Sequence, residues 1–291
     1  MSSVVFAGTP SFAVPSLKAL AGDPAFEVVL VITQPDKPVG KKKTITPPPV
    51  KVEAEKLGIP VWQPRSFNRE LATLHSKLAT RPDYLIVVAY GQILSQEVLS
   101  WPTIYPINVH ASLLPRWRGA SPVQHAILAG DSETGVTIQV MARELDVGPV
   151  LAREGIPIAP DDTAETLMGK LSTLGADLLV KTFTSKLQPQ PQSPTGITLC
   201  RKLSRQDGVA DPASMRAEEI ERRVRALHPW PGVTMVLDGT STKIIRSSLS
   251  ASASSHPLPC KDGTTLHLLD VQPPGKKPMT GAAWARGRRN R

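Results

Sequence analysis

Residues 1–32 constrain the fold more than any other stretch of the chain. Val4-Val5-Phe6-Ala7 is a short apolar run that stops at Gly8-Thr9-Pro10-Ser11. Phe12, Leu17 and Leu20 then recur at helical spacing, and Val28-Val29-Leu30-Val31-Ile32 is a second apolar run. Strand, tight loop, helix and strand in that order open a doubly wound, mostly parallel α/β sheet. The loop has one glycine and no Gly-x-Gly-x-x-Gly, which disfavours a nicotinamide or flavin cofactor.

The same reasoning predicts a helix over 50–57, a short strand at Val61-Trp62 and a helix over 69–78 with Leu71, Leu74 and Leu78 on one face. A buried strand over 84–88, a strand over 106–109, a helix over 122–128 and a strand over 135–141 follow, with a return at Val150-Leu151-Ala152. His125, on the helix over 122–128, is read as structural. Asp162 with Glu165 three residues on reads as the N-cap of a helix over 162–183. At 291 residues the chain suits two domains. The run Gln-Pro-Gln-Pro-Gln-Ser-Pro, which forms no core, marks a linker over 184–200 between domains at 1–183 and 201–291. In the second part, a helix from Asp211 through Arg225 is broken by His228-Pro229-Trp230-Pro231-Gly232. Asp238-Gly239 between two β runs signals a hairpin, and short strands continue to residue 272, suggesting a small OB-like β-barrel.

Lys and Arg number 34 against 25 Asp and Glu, a formal charge of +9 that suits a polyanionic partner, either nucleic acid or an anionic membrane surface. No apolar run approaches the ~18 residues of a membrane span and no secretory leader is seen, so the expected location is the cytoplasm. Cys200 and Cys260 are far apart and lack neighbours at metal-ligand spacing, so neither a disulfide nor a metal is expected. Residues 34–51 carry five lysines and one acid among prolines, with no period. They read as an exposed mobile loop, either merely solvated or, from its place at the carboxyl edge of the sheet, set to meet a ligand.

The chemistry concentrates in Asn108-Val109-His110-Ala111-Ser112-Leu113-Leu114-Pro115-Arg116-Trp117-Arg118-Gly119, with Leu145-Asp146-Val147-Gly148 downstream. Asn108 and His110 are two apart with apolar Ile107 and Val109 beside them, so an extended backbone points both polar groups to one face. An amide and an imidazole aimed at one point can stabilise an oxyanion, and Asp146 can hold the imidazole in one tautomer and raise its basicity. A buried, satisfied strand-end His and an Asn in a turn is the alternative. Tyr90 fits a core aromatic or a ligand-lining loop, and Arg116-Trp117-Arg118 fits a phosphate and stacking patch or a group that holds the site's shape.

Asn-x-His-x-Ser-Leu-Leu-Pro, continued as Arg-Trp-Arg-Gly-Ala, resembles the signature of the folate-dependent formyltransferases, and Leu-Asp-x-Gly is similar to the segment carrying their aspartate. Gly8-Thr9-Pro10 is similar to the substrate edge of that family's site. The resemblance implies Asn108, His110 and Asp146 as the catalytic trio and 10-formyltetrahydrofolate as co-substrate, without a metal. It implies that Ser112, Leu113, Leu114 and Pro115 meet the folate donor and that Tyr90 and Gly91 line the pterin pocket. The basic insertion after Gln34-Pro35-Asp36 resembles the methionyl-tRNA branch of the family, where it approaches the tRNA acceptor end. Lys41 stands where that branch often has Arg. Lys202-Leu203-Ser204, His228-Pro229-Trp230-Pro231 and Gln272-Pro273-Pro274-Gly275-Lys276-Lys277-Pro278-Met279 resemble its C-terminal domain in the same order. Lys37, Lys41, Lys42, Lys43, Arg116, Lys276 and Lys277 are thereby implied as tRNA contacts, with initiator methionyl-tRNA as partner of a monomeric enzyme. Beyond Met279 the sequence ends in an Arg-rich stretch without the family's longer helix; Arg286, Arg288, Arg289 and Arg291 read either as an extension of the basic track or as a disordered tail. The alternatives are a formyltransferase for a nucleotide-linked amino sugar, a formyltetrahydrofolate hydrolase, and a non-catalytic RNA-binding relative.

Overall fold

A computed structural model describes residues 1–40 and 42–289, with the backbone alone described for Lys77, Arg288 and Arg289. Lys41, Arg291 and the side chains of Arg288 and Arg289, all expected on the basic surface, lie outside the described residues. The chain begins with β1 (Ser2–Gly8), α1 (Val14–Gly22), β2 (Phe26–Ile32), β3 (Lys37–Val39), β4 (Thr44–Thr46), α2 (Pro49–Lys56), β5 (Val61–Trp62) and α3 (Phe67–Lys77). It continues through β6 (Tyr84–Val88), α4 (Gln96–Leu99), β7 (Tyr105–His110), β8 (Arg118–Gly119), α5 (Pro122–Ala129), β9 (Glu133–Val140), β10 (Val150–Pro157) and α6 (Ala164–Thr182). The last part holds β11 (Leu199–Cys200), α7 (Ala217–Leu227), β12 (Val233–Leu237), β13 (Thr240–Ser248), β14 (His256–Pro259), β15 (Thr265–Gln272), β16 (Met279–Thr280) and α8 (Gly281–Arg289). The fold divides into a unit of residues 1–119, 134–156 and 168–199 and a unit of residues 120–133, 157–167 and 200–291. Among the described residues no helix is long and apolar enough to cross a membrane.

In the first unit the described strands form one sheet in the order β10-β9-β7-β6-β1-β2-β5. Neighbours from β5 to β7 are parallel, and β9 joins β7 antiparallel. All five residues of β6 are buried, as a strand covered on both faces must be. The strand order reverses at β1, where doubly wound sheets leave a crevice outside the carboxyl ends. Gly8 pairs with Val88 and Val87 with Asn108, so β1, β6 and β7 end along one edge.

Below that edge, Phe67, Leu71 and Leu74 of α3 pack with Tyr90 and Trp101 in a buried apolar cluster. Phe67 meets the rings of Tyr90 and Trp101 edge-on at 6.1 and 6.3 Å. Ser66 caps α3, accepting from the Arg69 amide at 3.4 Å while its own amide donates to Glu70 at 3.0 Å. Asp83 accepts from the amide (2.8 Å) and hydroxyl (3.2 Å) of Ser3 and from Thr103 Oγ1 (3.2 Å), tying the approaches to β6 and β7 to β1. The Ser3 amide holds the Asp83 carboxyl below the usual carboxylate range. Strands β3 and β4 correct the expectation of an irregular loop. They form a hairpin with Lys37 opposite Thr46 and Val39 opposite Thr44, because a ladder satisfies the backbone that composition alone left unpaired. Between β9 and β10, Gly148 lies so close to the Val140 carbonyl that a Cβ there would overlap its oxygen.

In the second unit, α7 buries Ile220, Val224 and Leu227, and its charged side chains pair along the helix, Arg225 on Glu221 at 2.6 Å with both mostly covered. It begins at Ala217, six residues later than expected. Asp211 instead closes an isolated turn, its carboxylate taking the Ala213 amide at 3.0 Å and its carbonyl the Met215 amide at 3.0 Å. The α6 cap is also corrected. Thr163 Oγ1 accepts from the Thr166 amide, while Asp162 is engaged by the Ala159 amide and the Thr166 hydroxyl. The hairpin β12–β13 turns at Asp238 and Gly239, with φ of 45° and 74°, the left-handed pair that such a turn requires. Strands β13, β14 and β16 all pair antiparallel with β15. Residues 281–289 are helical, against the disordered one of the two readings of the tail: Trp284 is buried and meets the His256 ring edge-on at 5.5 Å.

Gly148→Ala is expected to cost about 1–3 kcal/mol of stability, because the added methyl group must displace backbone; denaturant unfolding measures it. Asp83 has a depressed carboxyl in the folded chain, so its contribution is present above the unfolded pKa of about 3.9 and lost as pH falls through the folded value. Urea unfolding of Asp83→Asn is therefore expected to show a deficit at pH 7 that shrinks progressively below about pH 4.

Candidate active site

Strand β7 delivers Asn108 and His110 to the carboxyl edge on one face, Asn108 between Val87 and Gln139 and His110 opposite Thr137. His110 is buried, while Asn108 is half-buried and makes no side-chain hydrogen bond among the described residues. Asp146 sits in the turn after β9 with φ of 55°, a left-handed conformation that Asp tolerates. Its Oδ1 lies 3.5 Å from His110 Nδ1 and accepts from Gln139 Nε2 at 3.0 Å; its Oδ2 accepts from the Gly119 amide at 2.8 Å. On the other side of the ring, His110 Nε2 is 3.0 Å from the Trp117 carbonyl.

Both ring nitrogens of His110 therefore face oxygen acceptors. A neutral imidazole has one N–H and satisfies one of them, whereas a ring protonated on both nitrogens satisfies both. The Trp117 carbonyl reaches the ring because Trp117 itself has φ of 61°, an unfavourable value for a bulky residue. Its amide is anchored on Thr198 Oγ1 at 2.8 Å, and the Arg116 guanidinium stacks 4.4 Å over its ring.

The sequence had singled out neither Gln139 nor Gln192 for the site. Gln139 is opposite Asn108 in the ladder, and residues directly opposite share a face, so the strand register could have found it. Gln192 lies in the segment read as linker, where composition offered no signal. Its Nε2 donates to the carbonyls of Asp146 and Gly148, each at 2.8 Å, and its Oε1 accepts from Arg118 Nε at 3.0 Å and Nη2 at 2.7 Å. Arg118, Trp117 and Gly119 thus all make contacts within the site, through Gln192, the His110 ring and the Asp146 carboxylate.

The expected donor-binding residues surround the edge in different ways. Tyr90 is corrected to a core residue in its side chain: it is 2% exposed, and burial raises its hydroxyl well above the usual range. Ala89 and Gly91 beside it are exposed, both at positive φ. Much of the backbone over 112–115 is already paired. Ser112 O accepts from Thr137 Oγ1, Leu113 O from the Arg116 amide, and Leu114 O from Arg153, while the Leu114 amide donates to Thr137 Oγ1. Thr9 Oγ1 donates to the Tyr90 carbonyl at 2.8 Å, joining the loops after β1 and β6. Just past β2, Thr33 Oγ1 and Gln34 Nε2 are buried without partners among the described residues, polar atoms suited to a polar ligand at the edge. Lys37, Lys42 and Lys43 are exposed on the hairpin, Arg116 lies over Trp117, and Lys276 and Lys277 are exposed in the second unit.

Residues 1–183 match the formyl transferase family, and residues 202–289 match the formyl transferase C-terminal domain. A methionyl-tRNA formyltransferase of Halorhodospira halophila is 43% identical, the alignment covering 98% of this chain and 96% of that protein. One from Lysinibacillus sphaericus is 40% identical over 99% and 96%. Among solved structures, an N-formyltransferase from Helicobacter canadensis, in complex with folinic acid and dTDP-3-aminofucose, superposes with a TM-score of 0.69 at 18% identity, covering 94% of this chain and 100% of that one. The methionyl-tRNA formyltransferase of Clostridium thermocellum gives 0.60 at 16%, over 94% and 99%. At these identities the structural likeness speaks for the fold, and the sequence matches over nearly the whole length carry the assignment: the chain belongs to the formyl transferase family.

Proposed function

We propose that this chain transfers a formyl group from 10-formyltetrahydrofolate to the α-amino group of methionine on initiator tRNA, acting as a cytoplasmic monomer. The observation that carries the chemistry is His110 held between the Asp146 carboxylate and the Trp117 carbonyl, beside an Asn108 amide with no partner among the described residues. When the amine attacks the formyl carbon, Asn108 donates to the oxygen as it becomes an oxyanion, and His110, protonated or hydrogen-bonded, stabilises it beside Asn108. An N–C bond forms at the amine and the bond from carbon to folate N10 breaks. One proton moves net from the amine to N10, and the His110–Asp146 pair is placed to relay it. A free α-amino group titrates near 7.7–8, so the nucleophile needs little activation.

The folate donor fits the loop of exposed Ala89 and Gly91 and the stretch from Ser112 to Pro115. Because most carbonyls of that stretch are already taken, it contributes shape more than hydrogen bonds. In this reading residues 1–183 form the catalytic domain, 184–200 the linker and 201–291 the tRNA-binding domain. Lys37, Lys41, Lys42, Lys43 and Arg116 receive the acceptor end, and Lys276 and Lys277 meet the RNA elsewhere. The excess of positive charge favours a polyanionic substrate over a nucleotide-linked amino sugar.

Asn108→Ala is expected to lower kcat by about 10²–10³ with little change in tRNA affinity, since an oxyanion donor acts mainly in the transition state. Single-turnover formylation with charged initiator tRNA measures it, and unchanged turnover would reject the role. Affinity for tRNA is expected to fall steeply with salt, and Lys42→Ala with Lys43→Ala should reduce the slope of log K against log salt by about one for each phosphate that is no longer neutralised. A salt-insensitive Kd would instead favour the small amino-sugar substrate.

A further inference from the structure

The reactive pair depends on where the turn at residue 146 puts its carboxylate. Asp146 has a left-handed backbone, and neighbouring Gly148 is pressed against the Val140 carbonyl. One side chain grips both ends of this turn. Gln192 donates to the carbonyls of Asp146 and Gly148, and it is itself clamped by two N–H groups of Arg118. The amide orientation follows from its partners. Arg118 has only donors, so Gln192 must present its oxygen to the guanidinium and its NH₂ to the turn. That NH₂ also lies 3.4 Å from Gln139 Oε1, and Gln139 in turn presents its NH₂ to Asp146 Oδ1 at 3.0 Å. The two N–H groups of Gln192 are given to the turn carbonyls, so the approach to Gln139 is the weaker contact, and the firm link runs from the Arg118 guanidinium through one amide to the turn that carries the Asp146 carboxylate.

We propose that Gln192 is a positioning residue: by bridging Arg118 to the carbonyls of Asp146 and Gly148, it holds the Asp146 carboxylate against His110, an inference that rests on the catalytic reading given above. Gln192 meets Asp146 only at its backbone carbonyl and makes no contact with its carboxylate or with the His110 ring among the described residues. Its contribution is to the geometry of the transition state, where a displacement of about 1 Å can cut turnover on the order of 100-fold. Arg118 acts through Gln192, so the two form one device.

The test uses the full-length enzyme with formyl-folate and charged initiator tRNA, measuring kcat and KM for both substrates together with thermal unfolding. Gln192→Ala is expected to lower kcat on the order of 10-fold to 100-fold with KM unchanged. Gln192→Glu keeps shape and volume but replaces the donating NH₂ by an acceptor, so it should do no better than Ala. Arg118→Ala should lose less, and the double variant Arg118→Ala/Gln192→Ala should be no slower than Gln192→Ala alone. A Gln192→Glu enzyme with parental kcat, a loss confined to KM, or additive single effects would each overturn the inference. Asp146→Asn is the control that separates the two levels. If it is inactive while the Gln192 variants turn over normally, the positioning role alone fails. If it keeps full activity, the catalytic reading fails and the inference falls with it.

Discussion

A carboxylate withdrawn from water must be met by donors, and at Asp146 that requirement shapes everything around it. The side chain is 9% exposed, and each oxygen has a partner: the Gln139 amide and the His110 ring at Oδ1, the Gly119 amide at Oδ2. These partners come from separate parts of the chain, β7, β8 and β9, so the carboxylate meets all of them only once those elements have assembled. The imidazole it faces is constrained in turn, because the Trp117 carbonyl lies 3.0 Å from the second ring nitrogen on the far side of His110. The imidazole is thus held from both sides, by the Asp146 carboxylate at Nδ1 and the Trp117 carbonyl at Nε2.

The sheet supplies the rigidity that this arrangement needs. Strands β1, β6 and β7 are parallel and in register at their carboxyl ends, so a ligand at the edge meets three loops set by backbone hydrogen bonds. Cross-links between those loops, such as Thr9 to the Tyr90 carbonyl, limit their motion. The aromatic cluster of Phe67, Tyr90 and Trp101 underlies the same edge. Tyr90 therefore carries two duties in two parts of one residue, its ring filling the core and its carbonyl joining the loops. Around the crevice, backbone strain falls at working positions: Ala89, Trp117 and Asp146 all have left-handed backbones, and each sits where a loop must turn back toward the edge.

Periodicity located most elements well because burial on a sheet or helix face leaves a local trace, and β1, β2, β6, β7 and the hairpin at Asp238-Gly239 were legible from runs of a few residues. Short-range hydrogen bonding was harder to read. Asp211 looked like a helix start but closes its own turn, and Thr163 rather than Asp162 caps α6, because Ser, Thr and Asp side chains serve a turn and a cap with the same atoms. The lysine-rich stretch after Asp36 gave no period, yet its backbone pairs as β3 and β4, since a hairpin three residues long on each side is too short to show alternation.

At the site, the sequence determined the pair on β7. Asn108 and His110 share a face by the two-residue period of any strand, and the aspartate was marked by its motif. The tertiary structure alone decided that the Trp117 carbonyl would cap the ring, that Gln139 would brace the carboxylate, and that a glutamine in a proline-rich connector would hold the turn. Those contacts join residues 7 to 46 positions apart along the chain, and no local pattern records them. The physical reason is that alternation and helical spacing encode which side of an element faces inward, whereas the partner met on that side depends on how separate elements are brought together.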